Sequence, residues 1–420
     1  MLPDYLDGLK APVPDEINAV DLPVTGELPA ELNGRYFRNG PNPRPGEDRG
    51  HWFTGDGMLH GIRLRDGRAQ WYRNRWISTA KFHGAPFVSD TGLDLTAVPA
   101  NTSVIRHAGR MLALVETGLP YEITPGLETV GPYDFQGCLT TAMTAHPKRH
   151  PRTGELHFFG YGFVPPYLTY HRANAAGELV ESRTVDVPGP TMVHDFAITE
   201  NHVVWLDLPV VFDLELLGRG MPYRWDESYG ARIGVMDRAG QTNWHEIDPC
   251  YVFHVGNACE RDGAIELDAV RYSGDRFASM WPSTSGSGSL HRWIMTGTGV
   301  KEERLDDRSV EFPTINESLV GAASRFRYTV TDTAVVKYDM STGSSHAEDL
   351  GRTPGEAVFV ARGIVEDDGW LLSVVSDPEG SDLLVLDAAD LQFVASVRLP
   401  RRVPTGFHGA WFPDLTPEED

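Results

Sequence analysis

The sequence predicts an all-β fold, and among all-β folds a β-propeller of roughly six to eight four-stranded blades. Short candidate strands alternate with glycine-containing turns along most of the chain. Long stretches of helical periodicity are nearly absent. A sandwich or a barrel would share these features, but the length of 420 residues favours the propeller.

The elements follow in order along the chain. Residues 1–30 carry five prolines and are predicted to form an extended N-terminal arm draped over the fold. Asp66-Gly67 and Ala108-Gly109 each separate two apolar runs, which indicates β-hairpins. Phe212–Leu217 could form one short helix. Because no linker interrupts the pattern, we expect a single propeller domain spanning residues 1–420.

Composition excludes several classes of function. The net charge of −22 disfavours binding to nucleic-acid phosphates. No apolar run is long enough to cross a bilayer, and Met1–Tyr5 lacks the features of a secretion signal. Cys138, Cys250 and Cys259 form no CxxC pair, which fits a reducing compartment. We therefore expect a cytoplasmic protein.

Four histidines in apolar or small-residue surroundings stand apart from the rest. They are His146, His194, His254 and His408. A single histidine in such a setting is usually a satisfied core residue, but four of them could converge because the innermost strands of a propeller surround one axis. The pattern therefore predicts a metal site built from distant segments of the chain.

The other histidines are predicted to be structural or solvated. Ten of them adjoin charged, turn or strand-surface residues: His51, His83, His107, His150, His157, His171, His202, His245, His291 and His346. His60 lies between apolar residues and could be a buried hydrogen-bonding side chain.

Four neutral imidazoles suit a borderline divalent metal. Zinc would accept them, but a closed tetrahedral site leaves no position for chemistry, whereas iron(II) would keep one or two positions open. Metal-bound imidazoles usually donate their second N–H to a carboxylate, a carbonyl or water. The candidates for this role are the carboxylates of Glu116, Glu311 and Glu356, although a glutamate at a strand edge is more often solvated.

These segments, in their order along the chain, resemble the carotenoid cleavage oxygenases. That family includes bacterial lignostilbene and apocarotenoid dioxygenases and the animal retinoid isomerase. The resemblance covers nearly the whole chain. It runs from Gly34–Pro43 and Trp52–Met58, through Leu127–Gly131 and the four histidine segments, to Gly406–Gly409.

The resemblance implies a seven-bladed propeller with loops and short helices forming a dome over one face. It implies that the four histidines hold iron(II) and that the three glutamates orient three of the rings. Thr102 matches a position whose methyl group crowds an open coordination site. The implied reaction inserts dioxygen across a carbon–carbon double bond and gives two carbonyl fragments.

Substrate choice remains open at the level of sequence. Stilbene-cleaving members carry a lysine before the first of these glutamates, where this chain has Val115, and Trp76 falls near the position of a tyrosine partner. Both changes suit an apolar tunnel for a carotenoid or apocarotenoid. The stretch Phe82–Pro99 is short, however, and in larger members this region helps to form a membrane-contacting entrance. A compact entrance would favour a smaller aromatic alkene and only weak peripheral membrane contact.

Three rival interpretations can be tested. A non-catalytic binding propeller would need neither four buried histidines nor three carboxylates behind them. An isomerase could use the same iron site without consuming dioxygen. Ser285–Ser289 resembles a nucleophile motif only superficially, because a hydrolase elbow needs a strand–turn–helix context, so a glycine/serine loop is predicted there.

Overall fold

Seven antiparallel sheets of four to six strands form the blades of the fold, as a computed structural model of the chain shows. It describes residues 3–90, 92–217, 220–275, 277 and 288–415; most of the glycine/serine stretch, at 285–287, lies outside these ranges. The predictions of an all-β class and, from the family resemblance, of seven blades are confirmed.

The strands of the first half are β1 (Asn18–Val20), β2 (Val24–Gly26), β3 (Gly34–Pro41), β4 (Gly57–Arg65), β5 (Arg68–Trp76), β6 (Val88–Ser89), β7 (Gly92–Leu93), β8 (Ser103–His107), β9 (Arg110–Leu114), β10 (Tyr121–Ile123), β11 (Thr129–Pro132), β12 (Lys148–Arg149), β13 (Leu156–Tyr161), β14 (Leu168–Ala173), β15 (Leu179–Val185), β16 (Ala197–Ile198), β17 (Val203–Asp207) and β18 (Val210–Phe212). Those of the second half are β19 (Tyr223–Trp225), β20 (Ala231–Met236), β21 (Thr242–Ile247), β22 (Tyr251–Arg261), β23 (Ala264–Tyr272), β24 (Ser289–Thr296), β25 (Gly299–Arg304), β26 (Glu311–Thr314), β27 (Phe326–Val330), β28 (Ala334–Asp339), β29 (Ser344–Asp349), β30 (Thr353–Pro354), β31 (Val358–Ala361), β32 (Gly369–Asp377), β33 (Gly380–Asp387), β34 (Phe393–Arg398) and β35 (Gly409–Pro413).

Five blades are built from consecutive stretches of chain: blade 2 from β8–β11, blade 3 from β12–β15, blade 4 from β16, β17, β20 and β21, blade 5 from β22–β25, and blade 6 from β26–β29. Blade 7 contains β30 to β34 and adds β2 at its outer edge. Blade 1 contains β3, β4 and β5, with β1 outside and β35 inside.

Two distant parts of the chain therefore meet in blade 1. Strand β35 pairs antiparallel with β3, with Gly34 opposite Pro413 and Arg38 opposite Gly409. Within the segment expected to be an arm, β1 pairs with β5 of blade 1 and β2 pairs with β34 of blade 7. Together these pairings join the two ends of the chain to blades 1 and 7 and close the ring.

The predicted hairpin turns have the backbone that their residues favour. Asp66 and Gly67 adopt φ of 50° and 69°, and Ala108 and Gly109 adopt 49° and 79°. Positive φ at both central residues defines a type I′ turn, whose twist matches that of the flanking strands.

The core lies between adjacent blades rather than at the centre of the ring. One cluster, for example, joins Tyr36 and Ile62 of blade 1 to Leu372 and Leu383 of blade 7. Another joins Phe159 of blade 3 to residues of blade 4. Because the apolar side chains fill the gaps between sheets, the axis stays free for polar groups.

Short elements cover one face of the ring as a dome. Hairpin β6–β7 and hairpin β18–β19 belong to it, and both line the cavity beneath. The described 3₁₀ helices are Asp4–Leu6, Gly8–Lys10, Trp52–Thr54, Leu214–Leu216, Glu227–Tyr229 and Glu317–Leu319. The fourth of these is a single turn within the segment predicted to form a short helix. Among the described residues no helix is both long and apolar enough to cross a membrane.

Candidate metal centre

The four candidate histidines all lie on or just before the first, innermost strand of a blade. His146 precedes β12 of blade 3 and His194 precedes β16 of blade 4. His254 lies within β22 of blade 5, and His408 directly precedes β35 of blade 1. Because the innermost strands surround one axis, residues separated by up to hundreds of positions in sequence meet there.

The four rings form one cluster. The Nε2 atoms of His146 and His194 lie 3.0 Å apart. One nitrogen from each of His146, His194 and His254 lies within 4.8 Å of the others. The ring of His408 lies beside this group of three, with its centroid 4.7 Å from that of His146 and 4.9 Å from that of His254.

Three of the rings are held from behind by the three candidate glutamates. Nδ1 of His194 lies 2.8 Å from Oε2 of Glu116. Nδ1 of His254 lies 2.7 Å from Oε2 of Glu311. Nδ1 of His408 lies 3.2 Å from Oε1 of Glu356. Since a carboxylate accepts the Nδ1 proton of each ring, the Nε2 atom keeps its lone pair for a metal ion.

The seven side chains come one from each blade. The histidines belong to blades 3, 4, 5 and 1, and Glu116, Glu311 and Glu356 belong to blades 2, 6 and 7. The centre therefore depends on all seven blades, and no short sequence motif contains it.

Burial and the neighbouring charges set the protonation of these groups. Burial, assisted by the other three rings, lowers the pKa of His146 well below its usual value. Burial also lowers the pKa of His408, against the opposing effect of Glu356. For His254 burial alone would lower the pKa, but the Glu311 carboxylate outweighs it and the net shift is upward. The centre thus favours neutral imidazole at His146 and His408, the form that binds metal.

The chemistry of the donor set fits a divalent metal ion of borderline softness. Four neutral imidazoles, three of them bonded to carboxylates behind them, are ligands that zinc and iron(II) both accept.

Two comparisons with known proteins identify the family of the chain. A family model described as "Retinal pigment epithelial membrane protein" matches residues 10–413. A protein of Mycobacterium tuberculosis named carotenoid cleavage oxygenase is 42% identical, with 97% of each chain covered. The chain belongs to the carotenoid cleavage oxygenase family. As a member of this family it is an oxygenase, as the resemblance in the sequence had implied.

Further members of the family show its chemical range. An isoeugenol monooxygenase of Pseudomonas nitroreducens is 32% identical and covers 97% of this chain and 98% of its own. The crystal structure of Pseudomonas brassicacearum lignostilbene dioxygenase superposes with a TM-score of 0.89 at 26% identity, covering 99% and 100% of the two chains. That of the cobalt-substituted Synechocystis oxygenase ACO superposes with a TM-score of 0.84 at 25% identity, covering 96% and 97%.

In this carotenoid cleavage oxygenase a cavity of about 1090 Å³ lies under the dome and reaches the metal centre. Thr102 and Val115 both line it. The backbone carbonyl of Thr102 accepts a hydrogen bond from the N–H of His408 at 3.3 Å, which ties this residue to the centre. The hydroxyl of Thr102 donates to Asn101, 3.1 Å away.

Trp76 was expected to line the substrate tunnel, and this expectation is wrong. Its indole N–H donates to the carbonyl oxygen of Asn42 at 2.8 Å, and its ring packs beside Phe82. The hydrogen bond and the ring contact hold the side chain away from the cavity wall, which Trp76 does not join.

Sequence reasoning missed the aromatic side chains around the centre. Phe253 lies 5.2 Å from the ring of His194, and Phe312 lies 5.0 Å from His254 and 5.3 Å from His408, measured between centroids. Trp52, Phe53 and Phe407 extend this aromatic lining. The only signal was adjacency in sequence, since Phe253, Phe312 and Phe407 each neighbour a metal-centre residue.

Irregular strands explain how such neighbours can share the cavity. In a regular strand, successive side chains point to opposite faces. The register of β22 shifts between Val252 and Val255, and that of β26 shifts between Glu311 and Thr314. Phe312 adopts a φ of 52°, in the left-handed region. These bulges turn both an aromatic ring and a metal-centre residue toward the cavity.

Other histidines have partners outside the metal centre. Nδ1 of His60 lies 2.8 Å from the hydroxyl of Tyr72 in a buried site, so His60 is the hydrogen-bonding core residue that the sequence allowed. His202 lies 3.0 Å from Glu260, outside the metal centre.

Proposed function

We propose that this protein is an iron(II)-dependent dioxygenase that cleaves one carbon–carbon double bond of an apocarotenoid-like alkene. The observation that carries the proposal is the convergence of four imidazoles, three of them backed by carboxylates, at the wall of a large apolar cavity. In the overall reaction the C=C bond is broken, and each carbon takes one oxygen atom of the same dioxygen molecule. Two carbonyl products form without an external reductant.

Iron(II) would supply the binding and activation of dioxygen at this site. His146, His194, His254 and His408 would hold it through their ring nitrogens. The chain's own contribution is to fix the rings through Glu116, Glu311 and Glu356. The aromatic lining shields the reacting alkene from water.

The cavity lining suits a largely apolar substrate that carries an oxygenated group. It includes the exposed apolar side chains of Val88, Leu93, Val164 and Leu217. It also includes polar residues, among them Lys10, Thr331, Asp332 and Thr353. An apocarotenoid combines an apolar polyene with a polar terminus, so it matches this mixed lining.

A smaller hydroxylated aromatic alkene is the second candidate, and one residue favours it. Tyr161 lines the cavity, and its buried hydroxyl lies near Glu116 and Tyr223. Burial and the nearby Glu116 raise its pKa well above the usual value, so the phenol stays protonated. A substrate hydroxyl could exchange a hydrogen bond with this phenol. The isoeugenol and lignostilbene enzymes among the relatives act on such compounds by their names.

One experiment separates these proposals. Iron-loaded protein is incubated with apocarotenoids, hydroxystilbenes and isoeugenol under labelled dioxygen, and the products are identified by mass. We expect the highest kcat/KM for an apocarotenoid, with one labelled oxygen in each of two carbonyl fragments. Absence of bound iron, an isomerised product without label, or label in only one fragment would overturn the dioxygenase proposal.

The location of the protein is a further part of the proposal. Cys138, Cys250 and Cys259 are free thiols. We propose a cytoplasmic protein whose exposed apolar residues at the cavity mouth make weak, peripheral contact with membranes holding the substrate.

A further inference from the structure

Asp195 follows His194 in sequence, and its carboxylate is buried where several segments meet. Its side chain is only 2% exposed and forms an ion pair with Lys148, with 2.8 Å between Oδ1 and Nζ. Oδ1 also accepts the backbone N–H of Phe196 at 2.7 Å. Oδ2 accepts the backbone N–H of Val255 at 2.8 Å.

Each of these contacts adjoins a different histidine of the metal centre. Lys148 lies two residues after His146, and Val255 directly follows His254. Asp195 itself directly follows His194. One carboxylate therefore links the segments of the three histidines whose ligand nitrogens lie within 4.8 Å of one another.

His146 is the ring that needs such a link most. Glu116, Glu311 and Glu356 hold the other three rings, whereas in the described part of the chain no carboxylate bonds to the ring of His146. Its segment enters the two-residue strand β12, which offers little ladder pairing to fix it. The ion pair between Lys148 and Asp195, two residues after His146, holds that segment in place.

We propose that Asp195 is a positioning residue of the metal centre. Its carboxylate keeps the three histidine segments in register. The glutamates fix the other three rings by direct hydrogen bonds, whereas Asp195 fixes the backbone segment of His146 through the ion pair with Lys148. The inference rests on the proposed metal site but not on any choice of substrate. It predicts that the loss of Asp195 loosens metal binding more than the loss of a comparable buried carboxylate elsewhere.

Blade 4 offers that comparable carboxylate. Asp207 is 1% exposed and pairs with Arg232, which is 20% exposed, at 2.9 Å. The Asp195–Lys148 pair has corresponding exposures of 2% and 19%. Asp207 also accepts hydrogen bonds from Thr191 and Tyr229, and none of its partners lies within two residues of a histidine of the centre.

The test compares Asp195→Asn with Asp207→Asn in the full-length, iron-loaded protein. Iron per chain, the rate of iron loss to a chelator and the melting temperature are measured for both variants. We expect both to melt at lower temperature, but only Asp195→Asn to lose iron faster, by roughly 10- to 100-fold as for other groups that orient metal ligands. Wild-type iron loss in Asp195→Asn, or equal acceleration in Asp207→Asn, would overturn the inference.

Lys148 provides a second route if Asp195→Asn does not fold. Lys148→Met should accelerate iron loss, and Lys148→Arg should restore the wild-type rate because it keeps the ion pair. With cobalt(II) in place of iron, the visible absorption bands should shift in Lys148→Met and stay unchanged in Asp207→Asn. If Lys148→Met kept the wild-type absorption bands and the wild-type rate of iron loss, Lys148 would not position the segment of His146.

The failure of this inference can be told from the failure of the proposed function. If the wild-type protein bound no metal, the proposed dioxygenase itself would be overturned. If the wild type bound iron and Asp195→Asn held it equally well, only the role of Asp195 would be lost.

Discussion

His254 and Glu311 come from adjacent blades and are joined by the shortest of the three imidazole–carboxylate contacts, 2.7 Å between Nδ1 and Oε2. Glu311 also accepts the hydroxyl of Tyr272 and the backbone N–H of Phe312. The carboxylate is therefore fixed on three sides and cannot follow the ring if it moves. It sets the direction in which Nε2 of His254 points.

Replacing different glutamates should accordingly lower metal affinity or activity by different amounts. Glu356 lies farther from its ring, at 3.2 Å, and is otherwise held by the N–H of Gly409. We expect Glu356→Gln to keep the fold and to lower metal affinity or activity about 10- to 100-fold, and Glu311→Gln to lie at the upper end of that range. Metal titration and steady-state kinetics check this; a wild-type rate for Glu311→Gln would show that the contact does not orient the ring.

His194→Ala should abolish iron binding and turnover, since it removes one of two nitrogens only 3.0 Å apart. His202→Ala is the matched control. It removes a histidine of the same hairpin that bonds to Glu260, away from the centre. Iron per chain and activity are measured for both variants, and retained iron with normal turnover in His194→Ala would exclude His194 as a ligand.

The closing strand is held by a charge cluster whose loss should destabilise the ring. Asp414 bonds to two nitrogens of Arg63, at 2.6 and 2.7 Å, and to Arg35 at 3.2 Å. Both arginines are buried. We expect Asp414→Asn to cost about 3 kcal/mol, the lower range for breaking a buried ion pair.

Thermal or denaturant unfolding measures this cost. The control is Lys301→Gln, which breaks an exposed pair with Glu303 and should cost under about 1 kcal/mol. Equal stability of the two variants would show that Asp414 does not secure the strand.

The exposed apolar residues at the cavity mouth should affect the binding of substrate and not the rate of the chemical step. Val164 and Leu217 are 59% and 48% exposed at the cavity. We expect Val164→Asp combined with Leu217→Asp to raise KM for an apocarotenoid supplied in vesicles and to leave kcat near wild type. Val130→Asp, on the outer strand of blade 2, should change neither value. A fall in kcat with unchanged KM would place these residues in the chemical step instead.

The sequence predicted the parts of the protein that follow local rules or unusual composition. Asp66-Gly67 predicts its hairpin because only certain residues accept positive φ at both turn positions. The four histidines and three glutamates stood out as polar groups in apolar surroundings, and the structure brings all seven together. The family resemblance supplied the number of blades, which no period in the sequence revealed.

Other features depend on contacts that sequence alone does not encode. Trp76 lies outside the cavity because of a carbonyl oxygen at Asn42, 34 residues away in sequence. Phe312 faces the centre because a bulge and a positive φ reverse the strand's alternation. The contacts of Asp195 with Val255 and Lys148 could not be foreseen from the sequence, since both partners belong to other blades.

The pairing of β35 with β3 has a consequence for how the metal centre is completed. His408 directly precedes β35, so it reaches the axis only when that strand docks beside β3. A folding intermediate in which β35 is not yet docked presents at most three of the four imidazoles. The complete set of ligands would therefore exist only in the closed ring, and the fraction of protein that binds the ion would report the fraction of rings that have closed.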